Sequence, residues 1–230
     1  MVHSMRHRCS LGRPSGGAGR PDTGGATRCH GPEVVVEVAG HRRWSCAYIR
    51  RVTSGDASGA DAPPSARRRT DRDLGDCVRI LAEVHRRDGY PVNWPDVPHA
   101  WLTPSSLLAA WVAERDGRVV GHVGLSRSGT GDAAPGLWSA RTGVGVEGTA
   151  VVSRLFVAPS ARGHGIGGLL MARAVDAARH RGLWPVLDVV ASDTTAVALY
   201  ERLGWHLLGT VDQQWSPGQR VTVRCYAATT

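Results

Sequence analysis

The residues best suited to chemistry lie in a glycine-rich segment between a predicted strand and a predicted helix. Arg162-Gly163-His164-Gly165-Ile166-Gly167-Gly168 follows a strand that ends at Val157. Glycines at such a junction let backbone N–H groups approach an anion closely, and the helix N-terminus adds partial positive charge. Arg162 contributes a guanidinium that can donate two parallel hydrogen bonds to a phosphate group. The segment therefore predicts a phosphate-binding loop.

Two nucleotide-binding patterns fit this loop. Gly163-x-Gly165-x-x-Gly168 has the spacing of the Rossmann dinucleotide fingerprint, and Asp188 lies 20 residues further on, where that fold places a ribose-binding acid. In a Rossmann turn the glycines follow the strand almost directly, whereas here residues 158–162 intervene. Asp188 also lies inside a predicted strand instead of at its end. The Rossmann interpretation is therefore not favoured.

The second pattern is that of the GNAT superfamily of N-acetyltransferases, which the sequence resembles in two ordered motifs. Arg162-Gly163-His164-Gly165-Ile166-Gly167 matches the family's acetyl-CoA loop, Gln/Arg-x-x-Gly-x-Gly/Ala, at every fixed position. Downstream, the run from Ala196 to Trp205 resembles the family's Ala-x-x-Leu-Tyr-Glu-Lys-x-Gly-Phe signature. The resemblance covers residues 71–230 and implies an α/β (α+β) fold. Its mixed, mostly antiparallel sheet would be splayed at the acetyl-CoA site and flanked by helices.

The resemblance also implies roles for individual residues. The pantetheine arm would lie along the backbone of residues 155–157, and the pyrophosphate on the amides of residues 163–168. Tyr200 matches the family's tyrosine that donates a proton to the thiolate leaving group, a role that typically contributes about 10²–10⁴-fold in rate. Asp193 stands where many members have Asn, so its contact with the cofactor would lack an amide donor. The predicted cofactor-binding residues are Leu155, Phe156, Val157, Arg162, Gly163, His164, Gly165, Ile166, Gly167, Gly168 and Asp193.

Direct transfer requires a neutral amine. An acceptor with a pKa near 10 would need about 4 kcal/mol for deprotonation at pH 7, so a base or a chain of waters would help. Glu147, just before the strand, is the predicted base. Glu114, His122 and Asp188 are alternatives, because spacing singles out none of them.

The elements that position these residues follow from the apolar pattern. Residues 71–87 show the 3.6-residue spacing of an amphipathic helix. Two apolar runs flank the turn pair Asp116-Gly117 and predict a hairpin. Residues 150–157 and 186–190 predict strands that are followed by helices. Those helices are expected over residues 166–181 and from an N-cap at Ser192 or Asp193, whereas residues 127–149 and 88–98 predict loops.

Composition divides the chain near residue 70. Every one of the 28 basic residues is Arg; 12 of them lie in residues 1–70 against 5 acids, whereas residues 71–230 carry 16 Arg against 15 acids. Only eight of the first 70 residues are Val, Leu, Ile or Phe, about 11% against the roughly 20% below which disorder is expected. We predict a low-complexity basic tail, expected to be disordered, over residues 1–69 and one domain over residues 70–230.

Other features exclude several classes of protein. The longest apolar run, Leu107–Ala113, is far shorter than the roughly 20 residues of a membrane span. The sequence opens without a secretory signal, so a cytoplasmic location is expected. The cysteines are scattered, and Cys29, His30, His41 and Cys46 match no standard zinc spacing, so no metal is expected.

The predicted function is acetyl-CoA-dependent acetylation of a primary amine, expected to belong to a small molecule, by direct attack in a ternary complex. The aromatic loop from Tyr90 to Trp101 falls where the family usually shapes its acceptor pocket. A monomer or homodimer is expected, with no membrane partner and with nucleic acid not favoured. Two alternatives stay open: a nucleic-acid-associated protein that binds through its Arg-rich tail, and a CoA-binding domain without turnover.

Overall fold

One mixed sheet of seven strands organises the residues that the computed structural model describes, 63–129 and 131–229. The strands are β1 (Ser65–Arg68), β2 (Leu107–Arg115), β3 (Arg118–Arg127), β4 (Thr149–Val157), β5 (Trp184–Val190), β6 (His206–Ser216) and β7 (Gln219–Ala227). They lie in the order β1-β2-β3-β4-β5-β7-β6, and only β4 and β5 are parallel neighbours. The α-helices of these residues are α1 (Leu74–Asp88), α2 (Pro98–Leu102), α3 (Ala134–Thr142), α4 (Ile166–Arg179) and α5 (Thr194–Arg202).

Helices cover both faces of the sheet. On one face, α1 and α4 pack against β2, β3 and β4, and their apolar residues, among them Leu81 and Leu170, are fully buried. On the other face, α3 packs against β5 and β7 around Val186 and Cys225. Covering both faces buries the apolar side chains of the central strands, which read as almost continuous apolar runs in the sequence.

β4 changes its pairing part-way along its length. It pairs with β5 only over residues 149–151, opposite residues 184–186, whereas its pairing with β3 continues to Val157. Between the pairs Gly124–Ser153 and His122–Phe156, β4 has one residue more than β3, and Arg154 in this stretch has φ 55°. An extra residue of this kind is a β-bulge, which bends the strand. The sheet therefore opens between the C-terminal halves of β4 and β5, as the predicted fold class requires.

Most of the predicted elements are confirmed. The predicted first helix is α1, the hairpin is β2–β3, and the strand, loop and helix around the glycines are β4, residues 158–165 and α4. The helix α3 was missed, because the glycine content of residues 127–149 suggested a loop. Pro135 lies in the first turn of α3, where proline is tolerated. Tertiary packing holds this helix: the rings of Trp138 and Trp184 stack with their centroids 4.7 Å apart.

Residues 65–68, predicted to belong to the tail, form the edge strand β1 and pair with β2. Arg67 in this strand donates hydrogen bonds of 2.8 Å to both carboxylate oxygens of Asp73 and one of 2.7 Å to Glu114. The hydrogen bonds from Arg67 hold the pKa of Asp73 well below its ordinary range. The sheet therefore begins a few residues before the predicted boundary. The rest of the predicted tail, with Cys29, His30, His41 and Cys46, lies outside the described residues.

Candidate active site

The glycine loop ends in an open helix N-terminus. Gly163 and Gly165 have φ of 85° and 73°, a backbone conformation that glycine adopts without strain. Gly165 is the N-cap of α4, and no side chain caps the helix. The first N–H groups of a helix have no intrahelical acceptor, so those of residues 166–168 are available to a ligand. Together with the helix dipole, this geometry suits a phosphate group.

The next two glycines bring α4 close to α5. A Cβ on Gly167 would lie 3.1 Å from Cδ2 of Leu199, and one on Gly168 would lie 3.6 Å from Cδ2 of Leu203. A larger residue at position 167 would therefore press on the tip of Leu199. Because Leu199 precedes Tyr200 in the chain, this contact places the helix of the predicted proton donor beside the loop.

Two polar side chains of the loop have partners in the protein. Arg162 forms an ion pair with Asp88 at the end of α1 and also donates to the carbonyl oxygen of Val157. The imidazole of His164 lies 2.8 Å from Nη1 of Arg115, with its Nδ1 near the carbonyl oxygens of Ala161 and Arg162. Arg162 would have to share its guanidinium with Asp88 if it also bound phosphate. Its role in cofactor binding, like that of His164, stays a prediction.

The predicted pantetheine residues lie where β4 has separated from β5. Leu155 and Val157 are half-buried, whereas Phe156 is buried and its ring stacks on His122 at 5.1 Å. Since β5 does not pair with this half of β4, backbone groups on that edge are left for another partner. An extended amide chain such as pantetheine could supply it.

Tyr200 lies on α5 with only 8% of its surface exposed. Its ring packs against Trp205 and Tyr226, each with a centroid separation of 6.1 Å. Burial raises the pKa of the Tyr200 phenol well above its ordinary value of 10, and the nearby Tyr90 and Asp193 act in the same direction. The phenol therefore keeps its proton at neutral pH, which a proton donor requires.

Asp193 caps α5. Its carboxylate accepts a 3.0 Å hydrogen bond from the backbone N–H of Ala196, which satisfies one of the free donors of the first turn. This geometry fits its predicted place as an N-cap. Its contact with the cofactor stays a prediction.

The candidate bases are spread through the molecule. Glu147 is exposed in the turn before β4, at the end of β4 that pairs with β5 and not at the open half. Glu114 pairs with Arg67, and Asp188 accepts the backbone N–H groups of Ala133 and Ala134 at the start of α3. The structure does not bring these carboxylates together with Tyr200. The role of Glu147 as base stays a prediction.

His122 is fully buried between two arginines. Burial lowers the pKa of its imidazole to about 3, so the ring is neutral at pH 7. Its Nδ1 lies 2.9 Å from the carbonyl oxygen of Arg154, and its Nε2 lies 2.9 Å from Nη1 of Arg69. A neutral ring that donates from Nδ1 and accepts at Nε2 satisfies both contacts. Both ring nitrogens are thus occupied, so His122 supports the sheet instead of acting as a base.

Arg154, Tyr90 and Trp101 form the wall of the site on the side of α1 and α2. The guanidinium of Arg154 lies 4.9 Å from the centre of the Trp101 ring, and the rings of Tyr90 and Trp101 meet edge-on at 6.3 Å. Burial raises the pKa of the Tyr90 phenol, and Asp193 acts in the same direction. Tyr90 in turn lies close enough to Tyr200 to raise the pKa of that phenol. The wall therefore lies near the predicted proton donor.

Sequence reasoning identified the aromatic residues of this wall but missed Arg154. A cation between the apolar residues Val152 and Leu155 was the available signal, because charged residues are rarely placed on a buried strand without a partner.

A groove of about 530 Å³ lies at the outer end of this side. Asn93, Gly131, Gln213, Gln214 and Trp215 line it, so it carries side-chain amides and one indole and no charged group. Asn93 and Gln219 exchange hydrogen bonds of 3.1 and 3.3 Å, which join the loop after α1 to the β6–β7 hairpin.

Comparison with known families decides the class of the protein. A family model described as the acetyltransferase (GNAT) family matches residues 77–205. The chain belongs to the GNAT family. It is an N-acetyltransferase of class EC 2.3.1, and acetyl-CoA is its acyl donor. No curated protein sequence matches the chain.

Solved structures of GNAT enzymes share this fold. The ribosomal-protein-alanine N-acetyltransferase from Brucella melitensis matches 72% of this chain and 99% of its own, at 22% identity and a TM-score of 0.54. The N-acetyltransferase from Staphylococcus aureus Mu50 matches 72% of this chain and 98% of its own, at 19% identity and a TM-score of 0.53. Arabidopsis thaliana NAA60 in complex with acetyl-CoA matches 73% of this chain and 99% of its own, at 17% identity and a TM-score of 0.53. At these identities the likeness concerns the fold alone.

The cysteines of the described GNAT domain are Cys77 and Cys225, and both are buried. Burial raises the pKa of each thiol to about 12. A thiol with so high a pKa is a poor nucleophile at neutral pH, because the thiolate is the reactive form. Neither cysteine is therefore suited to carry an acetyl group.

No group of three or more His, Cys, Asp or Glu side chains suited to a metal ion is found among residues 63–129 and 131–229. Over the same residues, no helix is long and apolar enough to cross a membrane.

Proposed function

We propose that this GNAT enzyme acetylates a primary amine of a small molecule, by direct attack on acetyl-CoA in a ternary complex. One observation supports the proposal. The open N-terminus of α4 follows the unpaired half of β4, and the approach of Gly167 to Leu199 brings α5, the helix that carries Tyr200, beside that N-terminus.

The donor side of the site would be held mainly by the backbone. The N–H groups at the start of α4 would bind the pyrophosphate, and the free edge of residues 155–157 would align the pantetheine arm. Acetyl-CoA supplies an activated acetyl thioester when bound. The protein's contribution there is to orient that group and to exclude water.

Tyr200 would hold a proton at its phenol oxygen next to the departing sulfur. Its raised pKa keeps the proton in place until the thiolate forms. Neither Glu114 nor His122 is free to take the proton of the acceptor, since each has a partner in the protein. We propose that the amine loses its proton to solvent before attack. Glu147, the predicted base, is the side chain whose substitution tests whether a protein group takes that proton instead.

The acceptor side favours a small molecule. The reciprocal hydrogen bonds between Asn93 and Gln219 tie the loop after α1, which carries Tyr90, to the β6–β7 hairpin. We propose that this tie narrows the approach for a folded protein surface and leaves room for a small amine. The relative from Brucella melitensis is named for the alanine of a ribosomal protein, so a peptide N-terminus is the competing acceptor.

The decisive experiment measures thiol release from acetyl-CoA with a panel of small primary amines beside short peptides that have free N-termini. The products are identified by mass spectrometry. Turnover of small amines at a kcat/KM above that of the peptides is the expected result. Turnover of peptides alone would overturn the small-molecule assignment, and the absence of thiol release with every acceptor would overturn acetylation of these amines altogether.

A further inference from the structure

The acceptor wall carries more positive charge than the protein neutralises. Among the described residues, every half-buried arginine except Arg69 and Arg154 forms an ion pair with an Asp or Glu, as Arg67, Arg115 and Arg224 do. Arg154 forms none within this part of the chain. Its Nη1 donates 3.0 Å to Oγ of Ser153, while its Nε is buried without a hydrogen-bond partner. A buried donor without a partner is unfavourable, because it has given up its hydrogen bonds to water.

The surroundings of Arg154 do not compensate for this charge. Arg69, which donates to the carbonyl oxygen of Leu102, lies close enough to repel it, and His122 between them is neutral. Asp132 is the acid whose field reaches Arg154 most strongly, and its carboxylate already accepts the backbone N–H of Gly129. Burial raises the pKa of Asp132, which weakens it as a permanent negative charge. Two cations thus face one partly buried acid.

Backbone geometry also fixes Arg154 at this place. The residue has φ 55° in the bulge of β4, a left-handed conformation that is uncommon for residues other than glycine. Such strained residues cluster at functional sites because the surrounding structure must hold them there. The guanidinium is further held over the ring of Trp101, in an arrangement that restricts its rotation.

We propose that Arg154 binds an anionic group of the acceptor, so that the substrate is an amine that also carries a carboxylate. The inference rests on the proposed function, because it places this carboxylate on the acceptor side of the acetyl-transfer site. A guanidinium can donate charge-assisted hydrogen bonds to a carboxylate, and Nη2 of Arg154, which makes no hydrogen bond within the described residues, is the donor left for it. The ring of Trp101 and the phenol of Tyr90 flank the position. Arg154 lies close enough to Tyr90, and Tyr90 to Tyr200, for the first of each pair to influence the ionisation of the second, so the acceptor amine would lie near Tyr90.

The test uses pairs of amines that differ by one carboxylate: L-phenylalanine and phenethylamine, β-alanine and ethylamine, γ-aminobutyrate and propylamine. For the full-length enzyme, we expect the acid of at least one pair to have a kcat/KM about 10–100-fold above its neutral partner, the range for a charge-assisted hydrogen-bonded pair. Arg154→Gln should abolish that preference by raising KM for the acid, with kcat little changed. Arg154→Lys should restore part of the preference, since it keeps the positive charge but loses the planar set of guanidinium N–H donors.

A merely structural role for Arg154 gives a different result. Loss of its contact with Trp101 would lower kcat/KM for acid and neutral amine by the same factor, and that outcome would overturn the inference. So would equal kcat/KM for both members of every pair in the unmodified enzyme.

Binding measured by calorimetry in the presence of CoA keeps this inference separate from the proposed function. Acids that bind more weakly to Arg154→Gln but are never acetylated would support the anion site and contradict the acetylation of these acceptors. Acetylation of neutral amines, with no acid bound more tightly than its partner, would support the proposed function and overturn the anion site.

Discussion

The proposed donor and acceptor sides of the site are built by different means. The proposed donor side consists of backbone: a helix N-terminus, glycines with positive φ and the free edge of one strand. It comes from a single stretch, residues 155–168. The proposed acceptor side consists of side chains from β4, the loop after α1 and α2, among them Arg154, Tyr90, Trp101 and Asn93.

This difference has a physical reason. A pyrophosphate and an extended amide chain can be recognised by N–H and C=O groups, which every residue provides, so the requirement falls on backbone conformation and leaves a glycine motif. An acceptor is recognised by the shape and charge of particular side chains. Those side chains are free to differ between members of one fold.

The largest expected effect separates chemistry from binding on the donor side. Tyr200→Phe removes the phenol proton and leaves the ring, so kcat should fall about 100-fold or more, while KM for acetyl-CoA changes little. Stopped-flow or steady-state thiol release measures both constants. Tyr226→Phe is the matched control, because Tyr226 is also buried and its phenol already donates a hydrogen bond to Glu201. Equal kcat in the two variants would contradict the role of Tyr200.

A second prediction concerns the backbone of the loop. Gly165→Val forces a β-branched residue into φ 73° and places methyl groups beside the α4 N-terminus. Affinity for acetyl-CoA, measured by calorimetry, should fall about 100-fold, as loss of two hydrogen bonds to a charged group would give. Gly136→Ala, at an exposed position in α3, should leave it unchanged. Normal binding of acetyl-CoA by Gly165→Val would mean that the protein does not recognise the pyrophosphate through the backbone of this loop.

Two truncations test where the catalytic domain begins. Removal of residues 1–62 should leave the KM for acetyl-CoA unchanged, whereas removal of residues 1–69 also deletes β1, Arg67 and Arg69. The second truncation leaves Asp73 without its partner in a buried position. We expect the free energy of unfolding, measured in urea, to be about 2–3 kcal/mol lower. The loss is smaller than for a fully buried ion pair because Arg67 is partly exposed. Equal stability of the two truncations would contradict a structural role for β1.

The smallest expected effect is a pH dependence of folding stability that comes from His122, which contacts the backbone of Arg154. The unfolded chain protonates His122 near pH 6.5, whereas burial lowers its pKa in the folded state to about 3. Between these values only the unfolded state binds the proton, so stability falls as the pH falls, by at most about 1.4 kcal/mol per pH unit.

Urea unfolding between pH 6 and pH 4.5 should therefore show a loss of about 2 kcal/mol. His122→Asn should flatten this slope, and His99→Asn, at an exposed position, should keep it. Asp73 does not interfere, because its contribution is lost only at lower pH. A slope unchanged by His122→Asn would mean that the imidazole is charged in the folded protein.

The sequence allowed the donor side to be predicted in more detail than the acceptor side. The glycine loop, α4 and the N-cap at Asp193 follow from local rules of backbone conformation and capping. The wall around Arg154 depends on a bulge and on contacts between residues 50 or more positions apart, such as Arg154 with Trp101, which no local pattern encodes. The helix α3 was missed for the same reason, since the stacking of Trp138 on Trp184 outweighs its Pro and Gly content.

The central claim is that donor and acceptor occupy their separate sides at the same time. The most direct test is to measure initial rates while the concentrations of both substrates are varied. The account predicts intersecting lines in double-reciprocal plots and no acetylated enzyme after incubation with acetyl-CoA alone. Parallel lines, together with an acetyl group on a protein side chain, would show a covalent intermediate and contradict direct transfer in a ternary complex.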